Sequence, residues 1–265
     1  MADAVNQPIN QRTYAAPGIV RYYAQLKALQ PAEQSLFEIL GNRLSQMKML
    51  DIGVGGGRTT QHFLQRVAIY VGIDASSAMI ATCQQRFPNI PPEQFQVCDA
   101  RDMSSFPDQS FDLILFSYNG IDYVSGGERQ QIFREVRRIG KSGGYFFFSS
   151  HNLQGLERVF SFRQQLSLNP ITTYTNVILW VIHRAINWPL SFTQLRTLDN
   201  VVVRDESHNF RLATYYIRPL AQRTQLAPYF TNIRAFPWQS ATELTSEDDY
   251  RTNQEMWLYY LCQIP

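Results

Sequence analysis

Three carboxylates and one run of glycines define the chemistry open to this chain. Asp51 stands just before Gly53-Val54-Gly55-Gly56-Gly57, Asp74 closes the segment VGID, and Asp99 closes QVCD. Glycines at a strand-to-helix turn let a ligand come close to backbone amides, because no Cβ stands in the way. Asp74 follows the glycines by about 20 residues, the spacing at which an acid can accept from both hydroxyls of a ribose. Asp99 ends the next apolar segment and could accept from an adenine amino group. Each acid read alone could instead cap a helix or a turn. Glycines and acids at successive strand ends together describe one crevice for a nucleoside-bearing ligand.

The elements that must position these groups alternate. Short apolar runs at Lys48–Ile52, Ile69–Ile73, Phe95–Cys98, Phe111–Tyr118 and Gly144–Ser150 read as strands. Between them Thr59–Val67, Ser76–Phe87 and Glu128–Ile139 carry helical periodicity, the last ending at Gly140, where a left-handed cap is available. This rhythm predicts an α/β fold with a doubly wound, mostly parallel sheet and right-handed crossovers. Upstream, Ile19–Leu29 and a second segment opened by Pro31 and reaching Leu44 read as two helices; the first dozen residues are polar and expected to be mobile. Beyond Ser150 the rhythm breaks. A helix is predicted over Thr175–Ile186, an antiparallel pair from Val201–Asp205 and Leu212–Ile217, a helix over Pro219–Tyr229, and two last strands at Thr231–Phe236 and Trp257–Ile264. The expected organisation is a helical lid (1–45), an α/β core (46–150), an inserted cap (151–217) and a C-terminal part of the core sheet (218–265).

A glycine turn alone would also suit a dinucleotide-binding oxidoreductase. The ordered segments LDIGVGGGRTT, GIDASSAMI, CDARDMSSFPDQSFDLILFSYNGIDYV and REVRRIGKSGGYFFFSS, however, resemble the motifs of class I S-adenosylmethionine-dependent methyltransferases, which have a Rossmann-like fold. The resemblance covers about 46–150, and an acid before the glycines, as at Asp51, is typical of it. Lys141-Ser142 departs from the proline that many relatives carry before the two glycines. The resemblance implies a seven-stranded sheet ending in a reversed antiparallel hairpin, with S-adenosylmethionine as cofactor. It implies that Gly53, Gly55 and Gly57 shape the loop under the methionine part and that Asp74 binds the ribose. Ala75 and Met79 would pack on adenine, Asp99 and Ala100 would meet its edge, and Ser117 would lie near the sulfonium. Tyr23 is favoured over Tyr22 as the lid residue facing the cofactor. Arg58 either meets the methionine carboxylate or is an exposed arginine at a helix start.

For a hydroxyl acceptor a base is useful. His151, just past the fifth strand, is the candidate, with a loop histidine as the plain alternative; Asn119 and Tyr118 could contact the acceptor or the donor, or Tyr118 could simply pack. The cap offers Phe160, Phe162, Tyr174, Trp180, Trp188 and Phe192, with His183, His208 and Arg211 as polar points. These aromatics suggest an acceptor with apolar or ring character, unless they only pack the cap on the core. The expected activity is methyl transfer to O or N of such a small metabolite; a nucleotide-dependent oxidoreductase and a non-catalytic cofactor-binding scaffold are the alternatives.

Bulk properties narrow the field. With 45% hydrophobic and 17% charged residues the chain can bury a sizeable core. A net charge of +2, with no concentrated basic stripe, argues against a nucleic-acid partner. Cys83, Cys98 and Cys262 are too few and too scattered for a disulfide framework or a zinc site. No metal is expected. No apolar stretch approaches the about 20 residues that span a bilayer, and in YTNVILWVIHRAINW only His183 and Arg184 are basic, which argues against a membrane surface. A cytoplasmic protein with a small-molecule acceptor is the expectation; the oligomeric state is not legible.

Overall fold

The computed structural model describes residues 13, 16–206 and 210–265. The N-terminal dozen and His208 lie outside the described residues. Two helices come first, α1 (Pro17–Gln25) and α2 (Pro31–Leu40), each with proline in its first turn, where the missing N–H costs no hydrogen bond. α2 is fixed further by a capping box between Gln30 and Glu33, and a 3-10 turn over Gly41–Gln46 takes up the rest of the expected helix.

The core then alternates as expected: β1 (Lys48–Ile52), α3 (Thr60–Phe63), β2 (Ile69–Asp74), α4 (Ser77–Arg86), β3 (Phe95–Val97), β4 (Phe111–Phe116), α5 (Gly126–Ile139) and β5 (Gly140–Asn152). The five strands are parallel in the order β3-β2-β1-β4-β5. Their central members are apolar on both faces because helices cover both. Leu50, Ile114, Phe146 and Phe148 belong to the core on one face, and Met49, Leu113, Leu115 and Phe147 to the core on the other. Gly140 does not make the expected left-handed cap. Its φ of −80° and ψ of 141° are extended, so it opens β5, and a Cβ there would lie 2.2 Å from Ile264 Cδ1.

After β5 come α6 (Leu153–Phe160), α7 (Pro170–Ile186), α8 (Phe192–Leu195), β6 (Asn200–Arg204), β7 (Ala213–Ile217), α9 (Pro219–Leu226), β8 (Thr231–Pro237), α10 (Glu247–Thr252) and β9 (Trp257–Gln263). β9 runs antiparallel to β5 and β8 antiparallel to β9, the expected terminal hairpin. Together with β1–β5 these make the seven strands the resemblance implies. The sheet nonetheless has nine, because the antiparallel pair β6–β7 of the insertion joins it. β7 lies parallel to β5 through His151↔Tyr216 and Asn152↔Ile217, where β5 outruns its pairing with β4, while β9 still pairs with His151 from the other side. The insertion has its own apolar cluster, built on Leu153, Leu156, Phe160, Leu195, Val201, Val203 and Tyr216. Among the described residues no helix is long and apolar enough to cross a membrane.

Candidate functional site

The C-terminal ends of β1, β2 and β4, with the loops that follow β3 and β4, surround a cavity of about 420 Å³. That is within the usual range for a small-molecule pocket, about 300–1,000 Å³. Gly53 and Gly55 line it with φ of 64° and 55°, left-handed values that an L side chain disfavours. Gly56 lines it too, for a steric reason: a Cβ there would stand 2.5 Å from Ala24 Cα in α1, so α1 rests on the glycine turn. Gly57 has a φ of 79° but is not part of the lining; its missing side chain makes room for Phe87 and Cys83.

Asp74, at the end of β2, accepts from Gly55 N at 3.0 Å through one oxygen and from Ser76 N at 2.8 Å through the other. Burial raises its pKa, and those two amides pull it back. A carboxylate has about four lone-pair positions. Two remain for a vicinal diol in the cavity, so the geometry fits a ribose. Ala75, Met79 and Ala100 line the same cavity, and Tyr23 reaches it from α1, edge-on to Tyr118 at 6.2 Å, while Tyr22 is half exposed.

Asp99 lines the cavity but is less free than the sequence suggests. Arg101 Nε and Nη2 donate to its two oxygens at 2.9 and 2.5 Å, and Arg101 N donates at 2.9 Å. The Arg101 guanidinium holds the Asp99 carboxyl below the usual carboxylate range. Arg101 also pairs with Glu128 at 2.6 Å, tying this loop to the start of α5. The i, i+2 spacing of an acid and an arginine after a strand is the signal that could have revealed the clamp.

At the glycine-turn end, Arg58 is neither exposed nor free. It is 7% exposed and donates through Nη1 and Nη2 to Glu33 of α2 at 2.6 and 2.5 Å. Ser117, at the end of β4, belongs to the same cluster: it donates to Glu33, accepts from Arg58 at 3.1 Å and lies 3.0 Å from Tyr259 Oη. Sequence reasoning missed Glu33. The capping-box spacing from Gln30 was visible, but the partner lies 25 residues away.

Asp51 is buried beneath the turn and accepts from Thr59 Oγ1 at 2.5 Å and Tyr70 Oη at 2.6 Å. Burial pushes its carboxyl up to about 6 from 3.8, against those donors and Arg58. Below 3.8 the group is protonated folded or unfolded and does not affect stability. Between 3.8 and about 6 the folded state retains a proton that the unfolded state has lost, so stability falls as pH rises and the full cost is present above that window. Asp51→Asn keeps an acceptor oxygen and removes the charge. The unfolding free energy of the variant, relative to wild type, should therefore improve by on the order of 2 kcal/mol between about pH 4 and about pH 7. Urea titrations across that range measure it, and a difference independent of pH would refute the burial account of Asp51.

His151 and Asn119 come together outside the cavity lining, with Asn119 Nδ2 3.4 Å from His151 Nε2. His151 is no loop residue: it sits in β5, 4% exposed, with Nδ1 2.7 Å from Asp122 Oδ2, which also accepts from His151 N at 2.6 Å. Asp122 is completely buried and paired with the equally buried Arg129. Asn119 has a φ of 61°, and its buried Oδ1 has no hydrogen-bond partner. Aromatic rings join this group to the cavity: Tyr118 packs on Trp257 at 5.2 Å, and Trp257 packs on His151 at 5.9 Å and Trp238 at 4.8 Å.

The expected role of the cap is not reproduced. Among the described residues of 151–217 none lines the cavity. Phe160 fills the insertion's own core, Trp180 donates to Phe160 O at 3.0 Å, and Phe162, Tyr174 and Trp188 are exposed. Among the described residues no cluster of three or more His, Cys, Asp or Glu side chains could hold a metal.

Comparison with known proteins gives a coherent result. Residues 50–148 match the methyltransferase domain family. The uncharacterized methyltransferase YcgJ of Bacillus subtilis is 30% identical over 109 residues, 40% of this chain and 42% of that protein. The fatty-acid O-methyltransferase of Mycolicibacterium smegmatis is 33% identical over 105 residues, 38% of this chain and 36% of that one. The chain thus spans less than half the length of either relative. The fold is similar to that of the N-methyltransferase NodS of Bradyrhizobium japonicum, whose structure holds S-adenosylhomocysteine, with a TM-score of 0.53 at 16% identity over 99% of this chain and 100% of that one.

Proposed function

We infer that this chain, whose residues 50–148 match the methyltransferase domain family, is a class I, S-adenosylmethionine-dependent methyltransferase that transfers a methyl group to O or N of a small acceptor with apolar or ring character. The observation that carries the reading is the Asp74 carboxylate, held by Gly55 N and Ser76 N at the rim of the 420 Å³ cavity with lone pairs to spare. S-adenosylmethionine, when bound, supplies a methyl carbon activated by positive sulfur. The chain supplies alignment and water exclusion, which account for a large part of such a rate. Gly53 and Gly55 would let the methionine part approach the backbone, Asp74 would hold the ribose, and Ala75, Met79 and Ala100 would enclose the adenine. Ser117, fixed by Glu33 and Arg58, stands at the donor end.

The acceptor approaches past Tyr118 and Trp257, rings that favour an apolar or planar molecule. With Nδ1 protonated toward Asp122, His151 Nε2 carries the lone pair that accepts the acceptor's proton. Asn119 orients that nitrogen. A fatty-acid acceptor, as the name of the Mycolicibacterium relative indicates for that protein, is within this class.

Two measurements test the reading. Calorimetry should show tight S-adenosylhomocysteine binding and no response to NAD or NADP; the reverse would favour an oxidoreductase. With isotopically labelled methyl donor and an acceptor found by labelling cell extracts, His151→Ala should lower turnover about a hundredfold, leaving cofactor affinity within about twofold of wild type. Full activity would remove His151 as the base.

A further inference from the structure

Among the described residues, most of the exposed large apolar side chains lie on the insertion, away from the cavity. α7 packs inward through His183, Trp180 and Asn176: His183 is 1% exposed, Trp180 donates to Phe160 O, and Asn176 Nδ2 donates to Gln165 O at 3.4 Å. The opposite side carries Ile171, Tyr174, Ile178 and Val181 at i, i+3, i+7 and i+10, one stripe of a helix. Their exposures are 74, 68, 41 and 52%. Leu168 before the helix and Trp188 after it, 77% exposed in the latter case, extend the stripe at both ends. A soluble helix normally faces its apolar stripe inward, so an outward stripe of this length marks a contact surface.

Charge says what the contact is. From Arg158 to Leu198 the chain has four arginines and no carboxylate. Arg158, Arg163 and Arg196, on α6, the turn after it and the residue following α8, are exposed and make no ion pair with another described residue, and Arg184 lies on α7 itself. α6 and the 162–165 turn pack on the inward side of α7, and α8 packs on α6, so Arg158, Arg163 and Arg196 stand on the elements that carry the stripe's helix. The charge of His183 and Arg184 alone, the sequence-based argument against a membrane surface, leaves out these three neighbours. A second copy of the chain docked face to face would bring two segments of like positive charge together. An anionic lipid surface matches both features: apolar side chains enter the headgroup boundary while the arginines meet phosphates.

We propose that the outer face of α7 docks the protein on an anionic membrane surface. The helix would lie in the plane of the interface, with Trp188 at headgroup depth. This assignment is independent of the methyl donor and of His151.

Co-sedimentation with phosphatidylcholine vesicles, with and without phosphatidylglycerol, tests it. The wild-type protein should partition onto the phosphatidylglycerol vesicles and be released by salt. Ile171→Glu combined with Ile178→Glu should cut partitioning about tenfold or more, with an unchanged melting curve because both positions are exposed. Arg163→Glu with Arg196→Glu, which leaves the stripe intact, should cut it as well. No vesicle binding, equal binding to both lipid compositions, or unaffected binding by the variants would overturn the proposal. So would a dimer in sedimentation analysis that Ile171→Glu dissociates while vesicles bind nothing, since a second copy would then be the occupant.

Discussion

Asp74→Ala should weaken S-adenosylhomocysteine binding about a hundredfold. Two contributions add. The carboxylate offers charge-assisted hydrogen bonds to a ribose diol, each worth about 1.5–3 kcal/mol in a buried site. The same carboxylate also anchors Gly55 N and Ser76 N, so its removal frees the glycine turn on one side and the start of α4 on the other. Asp74→Asn retains one acceptor oxygen and the shape of the site, and should lose only about tenfold by the same reckoning. Calorimetric affinities for wild type and both variants give the comparison. Unchanged affinity in Asp74→Ala would sink the assignment of ribose to this carboxylate, and equal losses in both variants would mean that charge alone matters.

Arg129→Met should destabilise the fold by about 3–5 kcal/mol, the cost of stranding a buried charge. Arg129 and Asp122 are both 0% exposed. The guanidinium pairs with Asp122, donates to Ile121 O at 3.2 Å, Ser150 Oγ at 3.2 Å and Gln222 Oε1 at 2.6 Å, and stacks 4.6 Å from the ring of Tyr215. Methionine preserves most of the volume, so the loss reports the charge left on Asp122. Adding Asp122→Asn to Arg129→Met should therefore recover part of the stability, a non-additivity expected of residues in contact. It should not restore turnover, because Asp122 is the partner of His151 Nδ1. Urea unfolding of the two single variants and the double variant measures this. A cost below about 1 kcal/mol for Arg129→Met would show that the charge finds water.

The strand-end residues that line the cavity were legible because their signals are local. Gly53, Gly55, Asp74 and Asp99 lie at strand ends, and strand ends follow from apolar runs broken by glycine or acid. The groups that complete it were not. Glu33 meets Arg58, and Asp122 meets His151 across 29 residues, through a tertiary geometry that no periodicity encodes. His151 was expected just past the fifth strand; it is a buried member of that strand. The insertion was misread for another reason. Aromatic content says that a segment buries or binds something, not which way each ring faces. Phe160 turned inward to a private core, Tyr174 and Trp188 turned to the surface, and none turned to the cavity. Gly140 failed similarly: a glycine after a helix can be chosen for a left-handed cap or for lack of room, and Ile264 Cδ1 shows the second cause.

The fork in the sheet at His151 has a thermodynamic consequence. The insertion holds to β5 by two residue pairs and keeps its apolar cluster apart from the two that flank the main sheet. A segment with an apolar cluster of its own can open at a lower free energy than global unfolding needs, so amide exchange in α7 and α8 should be faster than in β1–β5. Such an opening releases Tyr216 from His151 while Trp257 keeps its place on the other arm of the fork. His151, paired on one side with Tyr216 and on the other with Trp257, is the residue at which the insertion meets the main sheet.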